Sequence, residues 1–260
     1  MILKPICVDI QSFPAKLRPL LSGANLYDSS CSEQAKVIFI EKDGGYFLKI
    51  SQKGSLEREV KMTQYFHRKG LSANVLSYIS EEKDWMLSEK IPGDDCTLGQ
   101  YLEEPKRLCD IIAERLAILH STDFDDCSIP NHTECFIASA ERNRSNGMFD
   151  KSKAENWGYK NPEDAWSVVE TNSHLLKANV LLHGDYCLPN IILNDWNFSG
   201  FIDLDSAGVG DRHVDLYWGS WTLFYNLKTD KYRERFFDAY GRDKIEKDIL
   251  RIVAAFEVFG

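Results

Sequence analysis

The two parts of the chain carry different hydrophobic patterns, and this change limits the possible folds more than any other feature. Between residues 36 and 50, two short apolar runs rich in β-branched and aromatic residues flank Asp43-Gly44-Gly45, where glycine tolerates the positive φ of a tight turn. After Pro92-Gly93, apolar residues instead recur at helical spacing. We therefore predict an α+β fold with a small antiparallel β-sheet lobe over residues 1–90 and a larger, mainly helical lobe over residues 91–260.

Local signals predict the elements of each lobe. In the first lobe, Ser55 can cap a helix that Gly70 terminates, and residues 75–80 and 84–91 form two further strands. In the second lobe, the periodicity predicts helices over 106–121, 132–145, 162–175, 214–227, 230–240 and 243–258. An apolar strand pair surrounds Trp196.

Charge limits the class of ligand. The 260 residues include 31 Lys and Arg against 40 Asp and Glu, for a net charge of −9. A nucleic-acid binder needs a basic surface, so we expect no nucleic-acid partner. Residues 1–90 carry +2 and residues 91–260 carry −11, which suits a small cationic substrate bound by the second lobe. We expect a monomer without a membrane partner.

The N-terminal segment and the cysteines indicate the compartment. Residues 1–10 contain no apolar run of signal-peptide length. The seven cysteines are scattered and form no C-x-x-C pair, which favours reduced thiols over a zinc site or a disulfide framework. We therefore expect a cytoplasmic protein.

One motif carries most of the chemistry. His183, Asp185 and Asn190 fit the pattern H-x-D-x-x-x-x-N. Asp203 lies thirteen residues after Asn190, directly after an apolar strand. In phosphoryl transfer, one carboxylate orients the attacking hydroxyl, while hard oxygen ligands hold Mg²⁺ against the phosphates. The pattern therefore predicts Asp185 as the catalytic residue and Asn190 with Asp203 as metal ligands.

Two upstream residues fit the same chemistry. Lys49 lies in a strand from which its side chain can bind phosphates, and Glu59 lies one turn into the next helix, where it can orient that lysine. Taken alone, either residue could be a solvated surface charge. Together with Asp185 and Asp203 they favour a nucleotide site.

The chain resembles the aminoglycoside phosphotransferase family, and most closely its 3′-phosphotransferase branch, which has a bilobal protein-kinase-like fold. The segments that carry the resemblance are YFLKI, LEREVKM, WMLSEK, AENWGYKNPEDAW, HGDYCLPNIIL, SGFIDLD, residues 211–215 and FEVFG. The resemblance covers nearly the whole chain and implies an enzyme that inactivates antibiotics such as kanamycin or neomycin by phosphorylating a hydroxyl group.

The resemblance also implies roles for individual residues. ATP is the expected donor, with GTP left open, and Mg²⁺ the expected metal. Lys49 and Glu59 match the family's phosphate-binding lysine and its partner. Residues matched to the rest of the nucleotide site are Phe47 against the adenine, Ser88 and Lys90 in the hinge, and Ser32 near the loop over the phosphates. His183 and Asp215 match structural supports of the catalytic loop.

The match is partial in the substrate site. The positions that bind the antibiotic in the family fall at Glu155, Glu257 and Phe259. Departures from the family pattern fall at Gly158 and Tyr225, where the family is acidic, at Ser206, where it has arginine, and at the additional acidic residue Asp205. Carboxylates complement ammonium groups. Their partial loss leaves open another antibiotic or a metabolite such as choline as the acceptor.

Two further alternatives keep the fold and change the function. A protein kinase is disfavoured, because a helix is predicted to begin about ten residues after Asp203, leaving no long activation segment, and no G-x-G-x-x-G loop occurs. A nucleotide-binding pseudokinase would be expected to lack catalytic groups. Here Lys49, Glu59, Asp185, Asn190 and Asp203 are all present.

Overall fold

The computed structural model describes residues 3–31 and 35–260. The strands are β1 (Lys4–Pro5), β2 (Asn25–Asp28), β3 (Lys36–Glu41), β4 (Tyr46–Gln52), β5 (Val75–Ser80), β6 (Lys83–Glu89), β7 (Asp94–Asp95), β8 (Val180–Leu182), β9 (Ile191–Asn194), β10 (Asn197–Phe201) and β11 (Gly208–Gly210). The α-helices are α1 (Arg18–Leu21), α2 (Glu57–Arg68), α3 (Gly99–Leu102), α4 (Pro105–Leu119), α5 (His132–Ser145), α6 (Lys151–Trp157), α7 (Pro162–Asn172), α8 (His213–Leu227), α9 (Arg233–Tyr240) and α10 (Lys247–Glu257).

The chain divides into two compact units. Unit 1 comprises Met1–Leu98 and Pro189–Asp205, and unit 2 comprises Gly99–Leu188 and Ser206–Gly260. Strand β9 pairs with both β7 and β10, which places the later segment with the N-terminal part of the chain. The division into lobes at residue 90 differs from this arrangement and stays a proposal.

Unit 1 is built on a six-stranded antiparallel sheet. Its strand order is β1-β2-β3-β4-β6-β5. The predicted hairpin is confirmed: Ile38 pairs with Leu48, and the turn residues 43–45 all have positive φ. Because side chains alternate along a strand, β4 turns Leu48 into the core and presents Lys49 on the opposite face. Burial of an aliphatic side chain such as Leu48 stabilises the sheet by roughly 1.5–3 kcal/mol.

Helix α2 receives its N-terminal cap from another element. The prediction that Ser55 caps it is wrong, because the Ser55 hydroxyl donates to the Gln52 carbonyl at 2.7 Å. Instead, the fully buried Asp84 of β6 accepts a hydrogen bond from the Leu56 backbone N–H at 2.9 Å. This contact fixes the start of α2 against the sheet. At the other end, Gly70 lies in the left-handed region (φ +73°), as the helix terminator was predicted to do.

Unit 2 is mainly helical. Helix α4 packs on α9, helix α10 packs on α6, α7 and α8, and β8 and β11 form an antiparallel pair. The six predicted helices are confirmed, with ends that differ by up to four residues; for example, the last begins at Lys247 and not at residue 243. Helix α6 was not predicted. It is bounded by Asp150, whose side chain accepts from the Lys153 N–H, and by Gly158 at φ +78°.

Within residues 3–31 and 35–260, no helix combines the length and apolar character required to cross a membrane.

Candidate active site

A cationic side chain lies between two carboxylates in unit 1. The Nζ atom of Lys49 lies 2.8 Å from Oε2 of Glu59 and 2.8 Å from Oδ1 of Asp203. Burial alone would lower the pKa of Lys49, but the two carboxylates outweigh this effect, so its pKa lies above its ordinary value and the side chain stays protonated. Burial raises the pKa of Glu59, and the Lys49 ammonium group opposes that rise.

The residues of this cluster come from three elements. Strand β4 provides Lys49, and the first turn of α2 provides Glu59, which is 4% exposed. Asp203 follows β10, whose last residue, Phe201, donates its N–H to Leu71 at 2.8 Å and accepts from the Ser72 hydroxyl at 3.0 Å. The segment after α2 therefore anchors the strand that carries Asp203.

The two predicted metal ligands flank the β9–β10 hairpin, with Asn190 directly before β9 and Asp203 two residues after β10. Ile191 pairs with Phe201, and the Ile202 N–H donates to the Asn190 carbonyl at 3.1 Å. Asn190 is buried, whereas the Asp203 side chain is 54% exposed. Asp203 also has φ +55°, a conformation that is uncommon outside glycine and recurs at functional sites.

In unit 2, backbone hydrogen bonds hold the segment that contains Asp185. The N–H groups of His183 and Gly184 each donate to the Asp215 carboxylate at 2.8 Å. Further along, the Leu188 N–H donates to the Thr222 hydroxyl at 3.1 Å. Asp185 lies between these two anchors and is partly exposed. Its carboxylate is thus carried by a loop that α8 holds at both ends.

A buried network supports this loop in turn. Asp215 is fully buried and accepts a third hydrogen bond, from His120 Nε2 at 3.1 Å, while His120 Nδ1 accepts from the Tyr240 hydroxyl at 2.8 Å. Burial alone would raise the pKa of Asp215, but its hydrogen bonds and the histidines outweigh this and lower it. Burial lowers the pKa of His120, which favours the neutral imidazole.

The residues matched to the adenine site lie along β4 and β6. Phe47 pairs with Ser88 across these strands, and its ring lies 5.2 Å from that of Phe39. The Lys90 N–H donates to the Gly45 carbonyl at 3.0 Å. Ser32, the fourth residue of this predicted set, lies outside the described residues.

The residues matched to the substrate site differ in exposure. Glu155 is exposed on α6, whereas Glu257 is 5% exposed and Phe259 is fully buried against Trp166. Oε1 of Glu257 accepts a hydrogen bond from Trp218 Nε1 at 2.9 Å. Burial raises the pKa of Glu257 to about 7, although the Lys153 ammonium group and the Trp218 hydrogen bond oppose that rise.

The predicted nucleotide, metal and catalytic residues, from Phe47 to Asp203, lie within a segment that matches a known protein family. The sequence model of the phosphotransferase enzyme family (APH) matches residues 29–252. The chain belongs to this family. The resemblance noted in the sequence and the kinase-like α+β fold are thereby confirmed, and the chain is a phosphotransferase enzyme.

Individual relatives of this phosphotransferase cover nearly its whole length. A protein of Lactococcus lactis named probable aminoglycoside 3′-phosphotransferase is 49% identical over 259 residues, 99% of each chain. The crystal structure of an aminoglycoside-3′-phosphotransferase of type VIII superposes with a TM-score of 0.77 at 18% identity, covering 94% and 97% of the two chains. An aminoglycoside phosphotransferase of Streptomyces rimosus, solved with ADP and streptomycin, gives 0.73 at 20% identity and covers 97% and 99%. These two structures support the fold.

The donor atoms of the phosphotransferase fit a magnesium ion. Asn190 and Asp203 offer an amide and a carboxylate oxygen, and Mg²⁺ prefers hard oxygen ligands. In phosphotransferases this ion is held by one or two such side chains together with phosphate oxygens and water. The exposed Asp203 carboxylate suits that shared coordination.

Several residues that build the site were not found from the sequence. These residues form contacts with partners that are distant in sequence, and they are Asp84, His120, Trp218 and Lys153. Asp84 accepts a hydrogen bond from Leu56, 28 residues away, and His120 is hydrogen-bonded to Asp215, 95 residues away. Lys153 lies over the Trp218 ring, with its Nζ atom 5.0 Å from the ring centroid. No local pattern marks such pairs, although helix α6 had a signal in Asp150 and Gly158 at its ends.

Proposed function

We propose that this enzyme transfers the γ-phosphate of ATP to the 3′-hydroxyl of an aminoglycoside and thereby inactivates the antibiotic. The observation that carries the proposal is the 49% identity, over 99% of both chains, to a protein named probable aminoglycoside 3′-phosphotransferase. The lysine-carboxylate cluster of unit 1 and the supported Asp185 loop of unit 2 provide the side chains that such a reaction requires.

In unit 1, Lys49 binds the phosphates of ATP. Its ammonium group neutralises phosphate charge, and Glu59 keeps it directed through a 2.8 Å ion pair that is separate from the one with Asp203. Asn190 and Asp203 hold Mg²⁺, which supplies further charge neutralisation on the transferred phosphoryl group. Phe47, Ser88 and Lys90 contact the adenine of ATP, and GTP stays open as an alternative donor.

In unit 2, Asp185 orients the acceptor hydroxyl and accepts its proton as the bond to phosphorus forms. Phosphoryl transfer has a loose transition state, so most of the rate comes from positioning and electrostatics. The backbone bonds from His183 and Gly184 to Asp215 support this, because they limit how far the Asp185 carboxylate can drift. Glu155, Glu257 and Phe259 contribute to the acceptor site.

The experiment is an ADP-release assay with product mass analysis on kanamycin, neomycin and a 3′-deoxy aminoglycoside. We expect ADP formation and addition of one phosphoryl group with the first two and no product with the third. Phosphorylation of the 3′-deoxy compound would contradict the 3′ assignment, and the absence of turnover on every aminoglycoside would contradict the substrate class.

An Asp185→Asn variant tests the catalytic role. Asparagine retains the size and hydrogen-bonding shape of aspartate but cannot accept a proton, so we expect kcat to fall by about 10²- to 10⁴-fold. An Asp195→Asn variant, at the turn between β9 and β10, is the matched control and should retain wild-type kcat. Near wild-type turnover of Asp185→Asn would disprove the role, whereas Mg-ATP binding without ADP release from the wild type would indicate a pseudokinase.

A second acceptor class has a specific observation in its favour. The positions where the resemblance predicts further carboxylates hold Gly158, in a left-handed helix cap, and the exposed Tyr225. A less acidic acceptor site would suit a smaller cation, such as choline or another amino alcohol. Including choline and simple amino alcohols in the same assay separates the two classes. We further propose that the enzyme is monomeric and cytoplasmic.

A further inference from the structure

One fully buried carboxylate of unit 1 lies on the same face of the sheet as Lys49. Asp84 lies in β6 opposite Ser51 of β4. Two residues further along β6, Met86 lies opposite Lys49. Directly opposite residues of an antiparallel pair share a face, and side chains alternate along each strand, so Asp84 and Lys49 point to the same side. A carboxylate is rarely buried unless specific donors compensate its charge.

The donors to Asp84 come from the start of α2 and from β5. Its Oδ2 atom accepts from the Leu56 backbone N–H at 2.9 Å and from the Tyr78 hydroxyl at 2.9 Å. Burial alone would raise the pKa of Asp84, but its hydrogen bonds outweigh this and lower it, so the group is ionised at neutral pH. A negative charge at a helix N-terminus is further stabilised by the helix dipole.

The first turn of α2 has no cap from its own side chains. Leu56 directly precedes the helix, and its apolar side chain accepts no hydrogen bond. Of the two acidic residues in this turn, Glu57 is paired within the helix, and Glu59 is paired with Lys49. Asp84 therefore supplies a side-chain acceptor that the helix itself does not provide at this end.

The spacing gives Glu59 a second possible partner. In the arrangement called a capping box, a glutamate at the third helical position reaches back and accepts the backbone N–H of the residue before the helix. For α2 that N–H belongs to Leu56, three residues before Glu59. Asp84 occupies this donor, which leaves the Glu59 carboxylate to Lys49. Without Asp84, the Leu56 N–H and the Lys49 ammonium group would compete for Glu59.

The ion pair between Glu59 and Lys49 depends closely on the position of this turn. Burial raises the pKa of Glu59, and the Lys49 ammonium group, 2.8 Å away, opposes that rise. A displacement of the turn therefore weakens the pair in two ways. It lengthens the distance between the two charged groups, and it makes Glu59 easier to protonate, since the opposing ammonium group is then further away.

We propose that Asp84 is a positioning residue for ATP binding, because it holds the first turn of α2 in the geometry in which Glu59 pairs with Lys49. The inference rests on the proposed function, which assigns Lys49 to the phosphates of ATP. The first N–H groups of a helix have no partner within the helix, so the turn that carries Glu59 is the one that frays when its cap is removed. An apolar cluster between α2, β5 and β6 keeps the rest of the helix on the sheet.

Calorimetric titration with Mg-ATP, without an acceptor, measures the effect. Asp84→Ala removes the hydrogen-bond acceptor and should raise the Kd for Mg-ATP about fivefold, the typical effect of losing a helix cap. Asp84→Asn keeps an amide oxygen that can accept the Leu56 N–H, so its Kd should stay within about twofold of the wild type. Tyr78→Phe, the matched control, removes only the other hydrogen bond to the same carboxylate and should also stay within about twofold.

A double-mutant cycle with Glu59 separates positioning from a general loss of structure. In a Glu59→Ala background there is no Glu59 carboxylate to position, so adding Asp84→Ala should change the Kd for Mg-ATP by less than about twofold. A rise by the same factor in both backgrounds would show that Asp84 acts independently of Glu59, and it overturns the proposal.

The single variants can also overturn the proposal. An unchanged Kd in Asp84→Ala excludes a positioning role. An equal rise in Asp84→Asn and Asp84→Ala excludes the Leu56 hydrogen bond as the cause. If Asp84→Ala does not fold, as judged by thermal unfolding, Asp84→Val replaces it in every comparison, because valine also lacks an acceptor and suits a buried strand position.

Failure of the positioning role can be told apart from failure of the proposed function. If the wild type binds no Mg-ATP, both fail. If the wild type binds Mg-ATP and Asp84→Ala binds it equally well, only the positioning role is overturned. Since the titration contains no acceptor, the absence of turnover on aminoglycosides would contradict the proposed substrate and leave this test unchanged.

Discussion

Asp203 in unit 1 and Asp215 in unit 2 are twelve residues apart in sequence and have opposite environments. The Asp203 side chain is 54% exposed and bonds Lys49, itself partly exposed. Asp215 is fully buried and accepts hydrogen bonds from His120, His183 and Gly184. A carboxylate that keeps an exposed face can take a new partner, whereas one whose acceptors are occupied by its own chain holds that chain in place. Exposure thus separates Asp203, the proposed metal ligand, from Asp215, which positions its own chain.

The largest expected effect is on stability, and it tests the difference between Asp215 and Asp203 directly. Asp215→Ala leaves two backbone N–H groups and His120 without their acceptor inside the core, which should lower the free energy of unfolding by about 3–5 kcal/mol. Asp203→Asn, at a site that asparagine tolerates at positive φ, should change it by less than about 1 kcal/mol while abolishing activity. Urea unfolding of both variants measures this. Similar losses in the two would refute the distinction.

The second prediction concerns the backbone that Asp215 holds. Gly184 has φ +84°, and a Cβ atom there would lie 2.0 Å from the Ser206 carbonyl oxygen. Gly184→Ala should therefore cost at least about 3 kcal/mol of unfolding free energy and lower kcat, because the loop must shift. Gly158 has a similar φ of +78° with nothing within 4 Å of the added Cβ. Gly158→Ala, the matched control, should cost about 1 kcal/mol.

The third and smallest effect uses Glu257, which is buried like Asp215 and accepts its side-chain hydrogen bond from the Trp218 indole. Its folded pKa of about 7 exceeds the ordinary value of 4.5, so between these values the folded state binds more protons than the unfolded state. Stability from this group is complete below pH 4.5 and is lost as pH rises through 7, by up to about 3 kcal/mol.

Glu257→Gln checks this sign. The variant can still accept from Trp218 but does not titrate, so its stability should depend less on pH between 5 and 8 and exceed that of the wild type at pH 8. Unfolding free energies at pH 5, 6, 7 and 8 provide the comparison. Glu155→Gln, at an exposed position, should follow the wild-type curve. Wild-type stability that rises across this window would show that Glu257 is ionised in the fold.

The contrast between Glu257 and Asp215 extends the comparison. Burial alone would raise the pKa of both carboxyl groups. The pKa of Glu257 does rise, whereas that of Asp215 falls below its ordinary value, because His120 and two backbone amides stabilise the charge of Asp215. Burial therefore does not by itself decide whether a carboxylate is charged; the donors that converge on it do.

Sequence alone determined the local features of this protein. The short apolar runs of β3 and β4, the glycine turn between them, and the helical spacing of α4, α7 and α8 depend on neighbours a few residues apart, so the pattern predicts them. The motif around Asp185 and Asp203 indicated phosphoryl transfer for a similar reason, because it consists of defined residue types at short, fixed spacings.

Only the tertiary structure decided which distant residues meet. Lys49 and Asp203 are 154 residues apart and Trp218 and Glu257 are 39 apart, and the α2 cap comes from Asp84 and not from the adjacent Ser55. Such pairs form because packing of whole elements brings them together, and burial then makes each unpaired polar group costly. Short-range propensity contains no information about that packing, which is why the sequence predicts candidate reactive groups but not the contacts that hold them.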